Sequence, residues 1–204
     1  RFKDVPFVLD NLEKLAADHE EFGKHADLTC LGMSGHSFGA ITTQVMAVQK
    51  LGKGRRLYDM KEGRFKAGIA YSPSPTYNNA EDPSVIYGGI TLPMMYMTGT
   101  DDSSPVTGKD YHYRLEIYRR AQAAEQHLLV LEDGDHMVFA GSRGKLAAHP
   151  KRHIHEAIIK VAALAFWDAH LKDDAAAGAW LTGGAFDAYL KGEAQHEYRK
   201  AYIL

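Results

Sequence analysis

The chain has 204 residues, 45% of them hydrophobic, which is enough to bury one sizeable core. Its formal net charge of −2 and its lack of a Lys/Arg block exclude the basic footprint of a nucleic-acid-binding protein. No stretch approaches the roughly 20 apolar residues that cross a bilayer, so we expect no membrane span. The length predicts a single domain over residues 1–204.

The first part of the chain predicts a helix, a strand and a second helix. Asp4 is a good N-cap, and apolar residues recur at helical spacing through residues 5–16. Residues 28–33 form a short apolar run, which indicates a strand buried on both faces, with the single cysteine, Cys30, as a small buried side chain. Apolar residues resume after position 39 in a helix that we expect to end near Gly52 and Gly54.

The rest of the chain alternates between strand and helix patterns. We expect strands at residues 65–71, 92–98 and 127–131, a Pro- and Gly-rich loop at 72–89, and helices at 111–124 and 151–171. The tail to Leu204 predicts one further short helix. The expected buried stripe of the helix at 151–171 is Ile154, Ile158, Val161, Ala162, Ala165 and Trp167. This alternation predicts an α/β fold, a parallel sheet flanked by helices.

The segment Gly35-His36-Ser37-Phe38-Gly39 has the pattern Gly-x-Ser-x-Gly between the predicted strand and helix. In that context the pattern is typical of a nucleophilic serine on a sharp strand-to-helix turn. The two glycines let neighbouring backbone approach without an intervening Cβ. The helix N-terminus at the turn favours negative charge. We therefore predict Ser37 as a nucleophile and the Phe38 N–H as one oxyanion-hole donor.

A serine hydroxyl is a poor nucleophile unless a base takes its proton. Of the eleven histidines, His136 is the one that follows a predicted strand end after an acidic residue, so we expect it to be the base. Asp102 follows the preceding strand and is favoured over its neighbour Asp101 as the residue that orients His136. Loops that follow parallel strands meet at one edge of the sheet, which brings distant residues together.

The other histidines and the glycines predict neither a metal nor a nucleotide cofactor. His149 and His153 have i, i+4 spacing, and His155 is near them, but no acidic partner accompanies the three at the spacing of a metal motif. No dinucleotide or phosphate-loop glycine pattern is present. His36 is expected to pack in the wall of the site. Four further histidines are expected at the surface or in an interface: His112, His127, His170 and His196.

Three segments resemble the α/β-hydrolase superfamily: Gly-His-Ser-Phe-Gly-Ala at 35–40, Met-Thr-Gly-Thr-Asp-Asp-Ser-Ser-Pro at 97–105, and Gly-Asp-His-Met-Val-Phe at 134–139. They are similar, more narrowly, to dienelactone-hydrolase and platelet-activating-factor-acetylhydrolase-like esterases. Residues 165–172 are similar to the last core helix of that group. The resemblance covers nearly the whole chain and implies an α/β-hydrolase fold. It also implies that the aspartate three residues after Gly99, which is Asp102, is the acid.

The resemblance further implies a serine esterase that forms an acyl-enzyme on a small-molecule or polymeric ester, without a cofactor. Members of the group begin with several strands before the helix expected at 4–19, and an early connection supplies the second oxyanion-hole N–H. We therefore expect the chain to be the C-terminal two-thirds of such a domain. An N-terminal segment of the same protein would complete the fold, and without it an apolar sheet edge is exposed.

Two other functions stay open at this point. One is an amidase or peptidase of the same fold, and the other is a non-catalytic fragment of a hydrolase fold that acts as a binding module. The loop at 72–89, with Tyr71, Tyr77 and Tyr87, is expected either to border the site and contact aromatic or polymeric esters or to be an ordinary solvent loop.

Overall fold

The fold is taken from a computed structural model, and residues 2–53, 56–75, 82–141 and 149–201 are described. The helices in chain order are α1 (Asp4–Asp18), α2 (Glu20–His25), α3 (Phe38–Met46), α4 (Pro83–Tyr87), α5 (His112–Arg120), α6 (Arg152–Leu171), α7 (Ala175–Thr182) and α8 (Gly184–Leu190). The strands are β1 (Leu31–His36), β2 (Leu51–Lys53), β3 (Arg56–Tyr58), β4 (Phe65–Tyr71), β5 (Met94–Asp101), β6 (Gln126–Asp135) and β7 (Ala194–Arg199). None of the helices in the described ranges is both long and apolar enough to cross a membrane.

The central sheet has five strands in the order β1-β4-β5-β6-β7. Its first four strands are parallel, and β7 pairs antiparallel with β6. A separate two-stranded antiparallel hairpin is formed by β2 and β3. The predicted α/β class, with a mostly parallel sheet flanked by helices, is confirmed. Because the four parallel strands run the same way, the segments after β1, β5 and β6 all begin at one edge of the sheet, which we call the carboxyl edge.

Helices cover both faces of the sheet, and β5 shows how its side chains divide between them. Met94 and Tyr96 pack into the core under α4 and α5, whereas Met95 and Met97 pack into the core under α6, α7 and α8. Successive side chains of a strand point to opposite faces. Since both faces are covered, all four side chains are fully buried, which is why the strand is a continuous apolar run in the sequence.

Strand β1 differs from its prediction. It begins at Leu31, three residues later than expected, and lies at the edge of the sheet, pairing with β4 alone among the described strands. Gly32 and Ser34 are therefore exposed, so the expectation of a strand buried on both faces is wrong. Cys30 is also exposed, because it precedes the strand. At the start of α1, the N-cap position belongs to Lys3, and Asp4 is the first helical residue.

Helix α6 has the predicted bounds to within one residue, but its buried face is rotated. Its buried residues are His155, Ile158, Ala162 and Phe166, while Ile154 is 43% exposed. The sequence analysis chose the buried face from the apolar residues alone. It therefore included Ile154 and left out the polar residue His155.

The C-terminal region contains more structure than the single short helix that was predicted. It holds α7, α8 and then the edge strand β7. The Asp174 carboxylate accepts the N–H groups of Ala176 and Ala177 and so fixes the start of α7. Strand β7, with the sequence Ala-Gln-His-Glu-Tyr-Arg, was missed because it carries almost no apolar residues.

Candidate active site

Ser37 lies at the turn that joins β1 to α3, with a backbone φ of 56° and ψ of −111°. A positive φ is strained for a residue with a side chain, and such strain concentrates at functional turns. The Ser37 N–H donates to the carbonyl of Tyr71 over 2.9 Å, which ties the turn to β4. A Cβ on Gly35 would lie 2.3 Å from the backbone of Gly39, so a glycine is required at 35. At Gly39 an added Cβ would meet nothing within 4 Å, so the predicted need for glycine there is not supported.

Ser37, His136 and Asp102 are joined by two hydrogen bonds at the carboxyl edge. Ser37 Oγ lies 3.0 Å from His136 Nε2, and His136 Nδ1 lies 2.7 Å from Asp102 Oδ1. With an ionised carboxylate facing Nδ1, the ring proton is assigned to Nδ1, which leaves Nε2 to accept the serine hydroxyl proton. Asp102 directly follows β5 and His136 directly follows β6, so the sheet itself brings the three residues together.

The Asp102 carboxylate is fully buried and has partners on both oxygens. Oδ2 accepts the Thr98 hydroxyl over 2.9 Å, and Oδ1 faces the Arg114 Nε at 2.8 Å as well as His136. Asp101, by contrast, is the exposed last residue of β5. The structure therefore places Asp102 rather than Asp101 against His136. Thr98, Arg114 and His136 together supply the hydrogen-bond partners that a buried carboxylate requires.

Arg114, on α5, was missed by the sequence analysis although only 1% of its side chain is exposed. Its Nε donates to the Asp102 carbonyl over 2.8 Å, and its Nη2 lies 3.0 Å from His136 Nδ1. Nη1 donates to the Ser72 carbonyl, and Nη2 donates to the carbonyl of Ser103. One buried guanidinium thus joins the segments that follow β4 and β5.

A signal for Arg114 was present in the sequence. The buried face of α5 includes Leu115, Ile117 and Tyr118, and Arg114 lies three and four residues before the last two of these. A charged residue on the apolar face of a predicted helix is almost never fully buried unless it is paired. Such a residue therefore indicates a buried partner, which here is Asp102.

His36 supports the segment that carries His136. The His36 Nε2 lies 2.8 Å from the His136 carbonyl oxygen, and the two ring centroids are 4.7 Å apart. Phe139 lies 6.4 Å from the His36 ring and 5.8 Å from the Tyr71 ring. Burial raises the pKa of Tyr71 to about 12. His36 therefore lies in the wall of the site, and it also fixes the His136 backbone.

The other predicted features of the site are the oxyanion-hole donor Phe38 and the tyrosines of the pocket loop. Phe38 is the first residue of α3, directly after Ser37, and its side chain is 53% exposed. Its backbone lies at the helix N-terminus, where the helix dipole favours an anion. In the predicted pocket loop, Tyr87 is 4% exposed and packs in the core, and Tyr77 lies outside the described residues. Of the three tyrosines, Tyr71 is the one described beside the site.

Several histidines lie elsewhere than expected. His112 is exposed, as predicted, but His127 is buried and the side chains of His196 and His170 are only 4% and 13% exposed, so a surface position is wrong for these three. The reason is that β7 and the end of α6 pack over the start of β6. His155 is also buried, and its Nε2 lies 3.0 Å from the Glu132 carbonyl.

In comparisons with known proteins, the sequence matches no family model and no curated protein. The fold alone does not decide the function, because α/β sheets carry many unrelated chemistries. Any functional assignment therefore rests on the residues around Ser37 and their geometry.

Proposed function

We propose that the protein is a serine hydrolase that cleaves carboxylic esters through an acyl-enzyme on Ser37. The observation that carries this proposal is the pair of hydrogen bonds from Ser37 Oγ to His136 Nε2 and from His136 Nδ1 to Asp102. A nucleophile, a base within hydrogen-bond reach and a third group that orients the base are the parts that covalent catalysis requires. The strained backbone at Ser37 supports the same proposal.

In the proposed reaction, Ser37 Oγ attacks the ester carbonyl carbon while His136 Nε2 takes the hydroxyl proton. The carbonyl oxygen becomes an oxyanion, and the N–H of Phe38 is the proposed donor to it. Collapse of this intermediate breaks the bond to the alcohol, which leaves with the proton from His136. A water molecule then attacks the acyl group by the same route and regenerates Ser37.

The surroundings of Asp102 are suited to the charge that moves during this cycle. When His136 is protonated, the buried Asp102 carboxylate lies between two cations, the imidazolium and the Arg114 guanidinium. The carboxylate stabilises the imidazolium, as in other triads. Arg114 holds the carboxylate and its backbone in place, because it contacts the Asp102 carboxylate and donates to the carbonyls of Asp102 and Ser72.

The experiment compares hydrolysis of p-nitrophenyl esters with that of matched p-nitroanilides by the wild type and by Ser37→Ala. We expect turnover of the esters, with Ser37→Ala reducing kcat by roughly 10⁴-fold or more. Ser34→Ala is the matched control, since Ser34 is an exposed serine on β1, three residues before Ser37. Faster cleavage of the anilides would assign an amidase. A folded wild type that cleaves neither substrate would contradict an enzymatic role and favour a binding module.

A further inference from the structure

A second cluster of histidine and carboxylate side chains lies far from Ser37, at the opposite edge of the sheet. Glu125 precedes β6, His127 is the second residue of β6, and His170 is near the end of α6. One potential ligand atom from each of the three lies within 4.8 Å of the others. His127 and His136 are nine strand residues apart, roughly 30 Å at about 3.3 Å per residue. The cluster is therefore separate from the proposed active site, and nothing in its function depends on that proposal.

We infer that Glu125, His127 and His170 form a binding site for a divalent transition metal of the zinc type. Glu125 Oε1 lies 3.6 Å from His127 Nε2 and 3.7 Å from His170 Nε2. In a tetrahedral zinc site with bonds of about 2.0–2.1 Å, neighbouring ligand atoms are about 3.4 Å apart. These two separations exceed the tetrahedral value by about 0.2–0.3 Å, and all three ligand atoms lie within 4.8 Å of one another, so side-chain adjustment without a change of backbone is expected to enclose such an ion.

The hydrogen bonds around His127 determine which of its nitrogens can bind a cation. His196 Nδ1 faces the carboxylate Oδ1 of Asp187 at 3.7 Å, which favours a proton on that nitrogen and leaves His196 Nε2 as an acceptor. His127 Nδ1 lies 3.1 Å from that acceptor, and on this basis the His127 proton is assigned to Nδ1. The remaining nitrogen, His127 Nε2, then holds a lone pair.

That lone pair is what requires a ligand. His127 is 1% exposed, and its Nε2 has no hydrogen-bond partner within the described part of the chain. It faces Glu125 Oε1 at 3.6 Å, which is beyond ordinary hydrogen-bond distance, and with the proton assigned to Nδ1 both atoms offer lone pairs. A bound cation satisfies both atoms at once. The His196 contact then has the role that a partner on the second ring nitrogen usually has at metal sites, which is to orient the imidazole.

The donor set also indicates the class of metal. Imidazole nitrogens with one carboxylate suit zinc and its transition-metal neighbours, whereas calcium and magnesium prefer sites made only of oxygen atoms. Phe166 packs against both rings, with centroids 5.8 Å from His127 and 4.6 Å from His170, and so limits their rotation. Three protein ligands leave a fourth tetrahedral position for water. The bound ion would connect the end of α6 to the start of β6.

The protein is treated with a chelator and dialysed, and isothermal titration calorimetry then measures the binding of zinc chloride. In a second measurement, the absorption spectrum of the cobalt(II) complex reports whether the bound ion has tetrahedral geometry. We expect one saturable site per chain. Glu125→Gln and His170→Ala should each weaken zinc binding by at least about 100-fold, and His196→Ala by about 10- to 100-fold. Both primary substitutions affect partly exposed side chains, so the fold is expected to persist, and circular dichroism checks it.

The matched controls are Glu21→Gln and His25→Ala, because these residues form an exposed Glu–His pair with a 3.2 Å contact on α2. Binding lost in Glu125→Gln and His170→Ala but retained in the controls supports the site. The inference is overturned if the wild type shows no saturable zinc binding, or if binding survives both substitutions in the cluster. The readout is metal binding itself, so the result is independent of hydrolytic activity.

Discussion

The two edges of the central sheet each place a histidine beside a carboxylate, yet the two histidines differ in their hydrogen bonding. At the carboxyl edge, both ring nitrogens of His136 have partners, and so do both oxygens of Asp102. At the opposite edge, His127 has a partner on Nδ1 but none on Nε2 within the described residues. A buried polar atom without a partner costs about 1–3 kcal/mol. Every polar atom of the first cluster therefore has a partner, whereas in the second the 3.6 Å between His127 Nε2 and Glu125 Oε1 is too long for a hydrogen bond and is where we propose the cation.

This comparison shows that residue type alone does not define a site. Histidine and carboxylate make a proton-transfer pair where a hydroxyl occupies the second ring nitrogen, as Ser37 does at His136. The same residue types form the proposed metal site, where His127 Nε2 and Glu125 Oε1 face each other at 3.6 Å. The predictions that follow alter one side of this comparison at a time.

The largest expected effect comes from removing the charge of Asp102. Asp102→Asn should lower kcat for ester hydrolysis by roughly 10⁴-fold, because an amide neither fixes the Nδ1 proton of His136 nor stabilises the imidazolium. Asp101→Asn is the control and should change kcat by less than about threefold, since its side chain is exposed. Steady-state kinetics on both variants checks this. Equal losses would remove Asp102 from its proposed role.

Arg114 gives the next largest effect, which is on stability. Arg114→Met should reduce the free energy of unfolding by about 3–5 kcal/mol, because it leaves the buried Asp102 carboxylate without its cation. Arg119→Met, an exposed position on the same helix, should change it by less than about 0.5 kcal/mol. Urea unfolding measures both variants. An Arg114→Met protein as stable as the wild type would show that the carboxylate is not buried as described.

A smaller effect is expected from the bond that His36 makes to the backbone of His136. One hydrogen bond contributes about 0.5–1.5 kcal/mol, so His36→Ala should lower kcat roughly 2- to 10-fold with little change in KM. His36→Gln should recover part of the loss, because its side-chain amide can donate to the same carbonyl. Kinetics of the pair tests this, and a Gln variant no better than Ala would indicate that the ring only packs.

The smallest effect concerns His155, a buried histidine that belongs to neither of the two clusters. Its Nδ1 is also buried without a partner among the described residues, but no described set of three metal-ligating side chains includes it. Burial lowers the pKa of His155 in the folded protein. Below about pH 6.5 the unfolded chain therefore binds a proton that the folded chain does not, and stability falls as the pH falls.

His155→Gln should make that decline shallower, by at most about 1.4 kcal/mol per pH unit, which is the contribution of one proton. His153→Gln, at an exposed position two residues away, should leave the slope unchanged. Urea unfolding between pH 7 and pH 5 measures the slopes. The same slope in His155→Gln as in the wild type would mean that His155 does not stay neutral in the fold.

The features that were predictable from the sequence are those with a periodic pattern of apolar residues or a recognisable motif. The bounds of β4 match the predicted strand at 65–71, and the parallel order that brings residues 37, 102 and 136 together followed from strand and helix alternation. The edge strand β7 was missed because it is almost wholly polar, and its pairing with β6 is long-range information.

The parts of the sites that were missed depend on contacts between distant elements. Arg114 reaches the segments after β4 and β5 from α5, and no local pattern around position 114 specifies those partners. The His127–His196 contact joins positions 69 residues apart, so spacing along the chain could not reveal it. His155 was not predicted to be buried, because the buried face of the helix was chosen from apolar residues alone. Its Nε2 lies 3.0 Å from the Glu132 carbonyl, a contact that the sequence pattern does not reveal.

The most direct test of the central claim is covalent labelling of the wild type with a fluorophosphonate, with the modified peptide located by mass spectrometry. An activated serine loses its hydroxyl proton to His136 as Oγ attacks phosphorus and fluoride leaves, so the account predicts one adduct per chain, on Ser37. The adduct should be absent in Ser37→Ala and strongly reduced in Asp102→Asn. A folded wild type that takes up no label, or takes it up at a serine other than Ser37, would contradict the account.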